Sequence, residues 1–212
     1  MNMQQGMTWG CLAAVAALLA WPHFSVSGTA EAAEDAKPLV VLETTQGSIT
    51  LELDRAKAPI TVDNFLQYVD SGFYVGTTFH RVIGPNANDP EGFMVQAGGF
   101  DEKMVEKEGV RQGIKNESGN GLTNSRGSIA MGLQPNKPDS ATSQFYVNLK
   151  DNTHLDAKQG PGSGYAVFGR VVEGMDVIDK IARVKTGSKG FHQNVPVTPV
   201  VIKSAKRKPK AG

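Results

Sequence analysis

The fold is decided by Phe79-His80-Arg81-Val82 with Gly92-Phe93-Met94-Val95-Gln96-Ala97-Gly98-Gly99, and by Ser140-Ala141-Thr142-Ser143-Gln144-Phe145-Tyr146-Val147. Both stretches have the composition of short β-strands, and both place polar side chains beside large apolar ones. The polar members are Arg81, Gln96 and Gln144; the apolar members are Phe93, Met94 and Tyr146. A site that holds an apolar ring while directing one fixed cation at its edge needs this set of side chains.

The rest of the chain contains short β-type runs and two helical patterns. Residues 39–42 are apolar, Gln46-Gly47 is a turn signal, and residues 49–53 alternate between apolar and polar, which predicts a hairpin. Helices are predicted over residues 59–70, with Thr61 as the cap and Gly72 as the stop, and over about residues 175–183. Many short strands with two helices favour a sandwich or a closed barrel.

Several of these blocks, in order along the chain, resemble the cyclophilins, the cyclosporin-binding class of peptidyl-prolyl cis-trans isomerases. They include residues 124–131 and 165–171, and the resemblance runs from about Leu39 to Ser204, most of all to bacterial secreted members. It implies a mainly β fold, a closed eight-stranded antiparallel barrel capped by two α-helices. It also implies isomerisation of Xaa-Pro bonds, with proline-containing unfolded or partly folded polypeptides as partners.

The resemblance places Arg81 at the family's catalytic arginine, and we expect Gln96 and Phe93 to act with it. Amide resonance opposes rotation about the Xaa-Pro bond with a barrier of about 18–20 kcal/mol. The prolyl nitrogen lone pair becomes available only when the amide leaves planarity, so a donor to it stabilises the twisted state alone. A guanidinium is always charged and has rigidly spaced donors. Taken by itself, however, an arginine at a strand end is more often part of a surface ion pair.

The other expected site residues bind the substrate. Gln96 and Gln144 are expected to hydrogen-bond the peptide backbone and to hold Arg81, whereas Phe145 and Val147 alternate to the opposite face and belong to the core. The expected substrate-binding set is Met94, Gly132, Leu133, Gln134, Gln144, Tyr146, His154, Leu155 and Tyr165.

Some positions depart from the family's pattern. His154 stands where cyclosporin-sensitive members carry Trp, which implies weak cyclosporin binding. Tyr146 replaces the usual Phe, and its hydroxyl needs a partner. Leu133 stands where many members carry Asn, and residues 84–91 form a longer loop than usual. None of these changes removes Arg81 or the pocket.

No cofactor and no metal are expected. His80 is interpreted as a core histidine, because isomerisation needs no proton transfer, and His154 and His192 are isolated. The glycine-rich residues 160–164 are followed by no helix and no phosphate-binding lysine, which predicts a flexible loop. The net charge of +1 gives no overall attraction for nucleic acid.

The chain begins with the pattern of a secretory signal peptide. An apolar run from Trp9 to Trp21 precedes small residues that suit cleavage near Ala33, although no Lys or Arg comes before the run. An uncleaved anchor is the alternative. The predicted divisions are a signal peptide at 1–33, a linker at 34–38, the isomerase domain at 39–204 and a basic disordered tail at 205–212. Weak attachment of the tail to an anionic surface is a second interpretation.

Cleavage would remove Cys11, the only cysteine, which suits an oxidising compartment. We therefore expect a periplasmic or other extracytoplasmic monomer, with no nucleic-acid partner and no membrane contact after cleavage. The leading hypothesis is a prolyl isomerase that accelerates folding of exported proteins. A non-catalytic chaperone module that binds proline peptides is the alternative. A secreted hydrolase is disfavoured, because the chain has no G-x-S-x-G motif.

Overall fold

The computed structural model describes residues 37–208, which form ten strands and two α-helices. The strands are β1 (Leu39–Thr44), β2 (Gly47–Leu53), β3 (Arg81–Ile83), β4 (Met94–Ala97), β5 (Ser128–Met131), β6 (Phe145–Asn148), β7 (Val167–Glu173), β8 (Thr186–Lys189), β9 (His192–Pro196) and β10 (Ile202–Arg207). The helices are α1 (Pro59–Asp70) and α2 (Met175–Ala182), and a 3₁₀ turn spans Thr153–Leu155.

Eight strands form one curled antiparallel sheet in the order β10-β1-β2-β7-β5-β6-β4-β3. Its two edges meet where Thr78 pairs with Val201, and the Phe79 N–H donates to the Val200 carbonyl at 2.9 Å. The mainly β fold with eight antiparallel strands and two helices is thereby confirmed. The last seam of the barrel is a short bridge, not a continuous ladder. Strands β8 and β9 form a separate hairpin that the sequence did not predict.

The inner face of the sheet, which the helices cover, carries the main core. Phe65 of α1 lies with its ring centroid 5.5 Å from that of Phe145 and 5.2 Å from that of Phe168. Val147 and Phe145 are both buried in this core, as strand alternation predicted. Burying a side chain of this size contributes about 1.5–3 kcal/mol, so this face accounts for much of the domain's stability.

Helix α1 has the predicted bounds but a different start. Its N-cap is Ala58, which makes no side-chain cap bond, so the prediction that Thr61 caps the helix is wrong. The Glu117 carboxylate instead accepts hydrogen bonds from the N–H of Ile60 at 3.1 Å and from the N–H and hydroxyl of Thr61, both at 2.7 Å. A carboxylate there also meets the positive end of the helix dipole. A distant loop therefore caps this helix.

The domain extends past its predicted end. Residues 205–207 belong to β10, where Ala205 is buried opposite Leu42 of β1, and Arg207 donates to the carboxylate of Asp70. The prediction of a disordered tail over 205–212 is therefore wrong for its first three residues, because the backbone pairing with β1 holds them in the sheet.

Other predicted segments lie outside the described residues. They are the signal peptide at 1–33, most of the linker and the end of the basic tail. From residue 37 to residue 208, no helix is long and apolar enough to cross a bilayer.

Candidate active site

A row of side chains crosses five strands on the outer face of the sheet. The strand register places Arg81 opposite Gln96, Gln96 opposite Tyr146, Tyr146 opposite Ala130, and Ala130 opposite Val167. Residues directly opposite one another on neighbouring strands lie on the same face of a sheet. The fold thus brings the separate segments singled out in the sequence into one row, with the arginine at its end.

An apolar group beside this row, called here the outer cluster, is separated from the main core. Tyr146 and Met94 are buried in it, and the rings of Tyr146 and Tyr165 meet edge to face with centroids 5.8 Å apart. Its members are Met94, Ala130, Tyr146 and Val167, with the partly buried Phe93, Leu122, Leu155 and Tyr165 packed against them. Phe93, Met94, Tyr146 and Leu155, apolar or aromatic residues predicted for the site, all belong to this cluster, which could hold an apolar ring.

The backbone of Phe93, which follows the 84–91 loop, is held by hydrogen bonds on both sides. Its N–H donates to the Ile83 carbonyl at 2.7 Å, and its carbonyl accepts from the Asn152 side-chain amide at 2.9 Å. The Phe93 ring stacks on His154, with centroids 5.7 Å apart and planes 21° apart. His154 is exposed and lies at the rim of the outer cluster. Weak cyclosporin binding stays a prediction.

Arg81 is exposed, and its guanidinium makes no hydrogen bond or ion pair within residues 37–208. The Gln96 side-chain Nε2 donates to Gln144 Oε1 at 2.9 Å. The expectation that these two glutamines hold Arg81 is wrong, because within residues 37–208 the guanidinium bonds to neither of them. The donors of Arg81 are left available to a ligand.

Two glycines make room for the glutamine pair. A Cβ at Gly99 would lie 2.7 Å from three side-chain atoms of Gln144, and one at Gly132 would lie 3.3 Å from Gln96 Nε2. The Gly132 N–H also donates to the Gln144 carbonyl at 2.8 Å. Gly132 was predicted as a site residue, but Gly99 was missed. The consecutive glycines Gly98 and Gly99 were the available signal in the sequence.

The predicted peptide-holding segment divides into two parts. Gly132 faces the glutamine pair, whereas Leu133 packs against the main core, and Gln134 is exposed with its N–H donating to Ser140 Oγ at 2.8 Å. Leu133 and Gln134 are therefore not in the outer cluster. They line a neighbouring cleft, together with Tyr165.

A buried asparagine network lies behind the outer cluster. The Tyr146 hydroxyl donates to Asn124 Oδ1 at 2.8 Å, so the hydroxyl has the partner that burial demands. Asn124 Nδ2 donates to Asp156 at 2.9 Å, Asn148 Nδ2 donates to Asn124 Oδ1 at 3.2 Å, and Asn152 Nδ2 donates to Asn148 Oδ1 at 2.8 Å. Burial raises the pKa of Tyr146, which keeps this hydroxyl a neutral donor.

This network links Tyr146 to Phe93, two members of the outer cluster, because Asn152 also donates to the Phe93 carbonyl. The three asparagines are fully buried, at 0 % exposure. None of them was predicted as a site residue. Asn124 belongs to the 124–131 block that resembles the family, but asparagine is so common in loops that nothing marked it as a partner of Tyr146.

His80 is buried, and its ring centroid lies 4.8 Å from that of Phe100 in an edge contact. Burial lowers the pKa of His80 from its ordinary value of 6.5 to about 4, so the ring is neutral at pH 7. Phe100 also contacts His192, with centroids 5.0 Å apart. The interpretation of His80 as a core histidine fits this packing.

Comparison with known proteins agrees with this geometry. The family described as "Cyclophilin type peptidyl-prolyl cis-trans isomerase/CLD" matches residues 39–207. The chain belongs to the cyclophilin-type peptidyl-prolyl cis-trans isomerases. It is 50% identical over 195 residues to peptidyl-prolyl cis-trans isomerase A of Dickeya dadantii, covering 92% of this chain and 95% of that protein.

Other relatives and a solved structure give the same family and fold. Identity is 46% over 168 residues to peptidyl-prolyl cis-trans isomerase B of Escherichia coli K12, covering 78% of this chain and 97% of the relative. A cyclophilin-type isomerase of Cryptosporidium parvum superposes with a TM-score of 0.65 at 21% identity, over 82% of this chain and 99% of that chain. Its structure in the presence of the dipeptide Ala-Pro gives 0.64 at 22%, over 81% and 99%. At such low identity these two structures support the fold alone.

Proposed function

We propose that this isomerase lowers the barrier to rotation about Xaa-Pro bonds by a hydrogen bond from Arg81 to the prolyl nitrogen. The bond would form only in the twisted state, where the nitrogen lone pair is no longer delocalised into the carbonyl. An interaction made in the transition state and absent from the ground state raises kcat. The donor acts by charge and position, and no proton or covalent bond is transferred.

The observation that carries this proposal is the row Arg81–Gln96–Tyr146 beside the outer cluster. An always-charged donor without an internal partner in residues 37–208 borders an apolar surface of suitable size for a proline ring. Burying a ring on such a surface contributes about 1–3 kcal/mol to binding. The ring would be held by Phe93 and Met94, while the amide beyond it faced the guanidinium.

The glutamine pair supplies the backbone contacts in this proposal. Gln96 uses one N–H to bind Gln144, which leaves its second N–H for a peptide carbonyl. Because the pair is fixed by its mutual bond and by the Gly132 backbone, it can orient the peptide with little further loss of side-chain entropy. The Cryptosporidium relative studied with Ala-Pro, a dipeptide that contains this type of bond, agrees with a proline-containing ligand.

The test is the cis-to-trans rate of an Ala-Pro reporter peptide with the purified wild-type protein and with Arg81→Ala. We expect kcat/KM to fall at least about tenfold, or about 1.4 kcal/mol of barrier. The melting temperature should not change, because Arg81 makes no internal hydrogen bond within residues 37–208. Arg170→Ala is the matched control: this exposed strand arginine pairs with Glu52 and lies outside the row.

The outcomes separate the two hypotheses. Loss of activity in Arg81→Ala alone supports the arginine mechanism. Unchanged activity in that variant would remove Arg81 from catalysis. Saturable peptide binding without acceleration by the wild-type protein would favour the non-catalytic chaperone module.

We also propose that the enzyme works on exported polypeptides outside the cytoplasm. The support is the leader-like segment of residues 1–33, together with a chain whose only cysteine lies in that segment. Mass spectrometry of the protein from a fractionated producing cell tests this. A chain that begins near residue 34, found in the extracytoplasmic fraction, supports export. An intact Met1 in the cytoplasmic fraction would contradict it.

A further inference from the structure

An open cleft of about 490 Å³ lies between the loops 133–138 and 159–165. It is called here the flanking cleft. Leu133, Gln134 and Tyr165 line it, and Tyr165 is also a member of the outer cluster. The cleft therefore adjoins the outer cluster, within reach of a polypeptide whose proline occupies that cluster. Its volume is within the range of about 300–1,000 Å³ typical of ligand sites.

Hydrogen bonds fix the first wall of the flanking cleft, the 133–138 loop. The Lys137 N–H donates to the Gln134 carbonyl at 3.1 Å, which closes a tight turn. The Ser140 hydroxyl donates to the Lys137 carbonyl at 2.6 Å and accepts from the Gln134 N–H at 2.8 Å. These bonds use only the backbone of Lys137, so its side chain remains available.

The second wall, the 159–165 loop, is also held in place. Asn116 Nδ2 donates to the Gly164 carbonyl at 2.9 Å, and the Gly164 N–H donates to Ser118 Oγ at 3.0 Å. The Tyr165 N–H donates to the Leu155 carbonyl at 2.9 Å. Because both walls are held by internal bonds, a ligand could bind without first ordering them, and a preformed site loses less entropy on binding.

The charge of the flanking cleft is positive. Among the described residues 37–208, Lys137 is the one charged residue that lines it. Its ammonium has no ion-pair partner in the 37–208 region, and the nearby Asp139 carboxylate is engaged by the Asn116 N–H at 2.9 Å. The remaining lining is neutral, and it includes the rings of Pro135 and Pro138. An acidic side chain, with its apolar stem against the proline rings, complements this lining.

We propose that the flanking cleft is a subsite that selects substrates carrying Asp or Glu near the isomerised proline, with Lys137 as the specificity-determining residue. The proposal rests on the proposed function, since it concerns the chain that the outer cluster would hold. Exposed ion pairs of this kind stabilise a complex only weakly, so the expected preference for Glu over Lys peptides is about threefold in kcat/KM, or about 0.7 kcal/mol.

The test uses two pairs of Ala-Pro reporter peptides with the purified protein. One pair carries Glu or Lys two to three residues before the proline, and the other carries it two to three residues after. Wild type should prefer the Glu peptide on one flank at low salt. This preference should shrink at about 1 M salt, where the screening length is about 3 Å. Lys137→Ala should remove the preference, and Lys137→Glu should reverse it.

Lys203→Glu is the matched control, because Lys203 is an exposed lysine in β10, on the opposite side of the curled sheet from β5 and β6. It should keep the wild-type preference. Equal acceleration of Glu and Lys peptides on both flanks, or a preference that Lys137→Glu leaves intact, would overturn the subsite while leaving the isomerase in place. Acceleration of no peptide would instead overturn the proposed function and, with it, the subsite.

Discussion

The two faces of strand β6 are stabilised by different means. On the inner face, Phe145 meets Phe65 and Tyr74 in edge contacts with centroids 5.5 Å apart in each case. On the outer face, the neighbouring Tyr146 meets one ring, that of Tyr165, and is anchored through its hydroxyl to Asn124. The inner face is filled, and packing fixes its shape. Under the proposed function the outer face stays open to a ligand, and directional bonds from the buried side, such as that to Asn124, fix its shape.

The largest expected effect comes from comparing one phenylalanine on each face of the sheet. Phe145→Ala should lower the free energy of unfolding by about 3–5 kcal/mol, because it leaves a cavity in a filled core. Phe93→Ala removes a partly exposed ring and should cost about 1 kcal/mol of stability, while lowering isomerase kcat/KM severely. Urea unfolding and the reporter-peptide assay measure the two effects. Equal losses of stability in both variants would contradict the distinction between the faces.

The second test uses the buried histidine. The pKa of His80 is lowered from 6.5 to about 4 by burial, so the unfolded chain binds a proton between these values and the folded chain does not. Stability should therefore fall as the pH decreases from about 6.5 to about 4, by on the order of 3 kcal/mol from this residue. Unfolding free energies measured across this range check the slope.

His80→Gln should flatten this slope, while His154→Gln, at an exposed position that does not influence the pKa of His80, should leave it unchanged. An identical slope in wild type and His80→Gln would show that other groups cause the pH dependence.

The smallest predicted effect concerns the hydroxyl that distinguishes this pocket from the family's usual Phe. Tyr146→Phe removes one buried hydrogen bond, while Asn124 keeps its bonds to Asn148 and Asp156, so the expected loss of stability is about 1 kcal/mol. The ring remains, and kcat/KM should stay within about threefold, or about 0.7 kcal/mol.

Thermal unfolding with Tyr165→Phe as control measures the hydroxyl's contribution, because the Tyr165 hydroxyl makes no hydrogen bond within residues 37–208. A loss above about 3 kcal/mol in Tyr146→Phe would mean that the whole asparagine network depends on this hydroxyl.

Most of the fold could be predicted from local patterns in the sequence. The apolar spacing in residues 59–70 predicted a helix, and the alternation around Phe145 predicted which side chains face the core. Both patterns depend only on neighbours a few positions away, and both predictions are confirmed. The cap of α1 did not follow, because its carboxylate comes from Glu117, and only the tertiary fold brings it there. Residues 205–207 have the composition of a solvated tail, but their backbone bonds to β1 place them in a strand.

The candidate site likewise has a part that could be predicted from the sequence and a part that could not. Strand segments with recognisable sequence put Arg81, Gln96 and Tyr146 on one face, and the register confirms that they are neighbours. Which partner each polar group selects depends on distances of tenths of an ångström. The bond between Gln96 and Gln144 and the asparagine network could therefore not be predicted from a single sequence.

The pairing of the first strand with the last has a consequence for synthesis. Leu39–Thr44 can complete its sheet only when Ile202–Arg207 is available, so nearly the whole domain must leave the ribosome before the sheet is finished. Contacts so distant along the chain slow folding, because a long loop must close before they form. During its own synthesis, this isomerase is therefore a nascent chain whose sheet stays incomplete until its last strand has emerged.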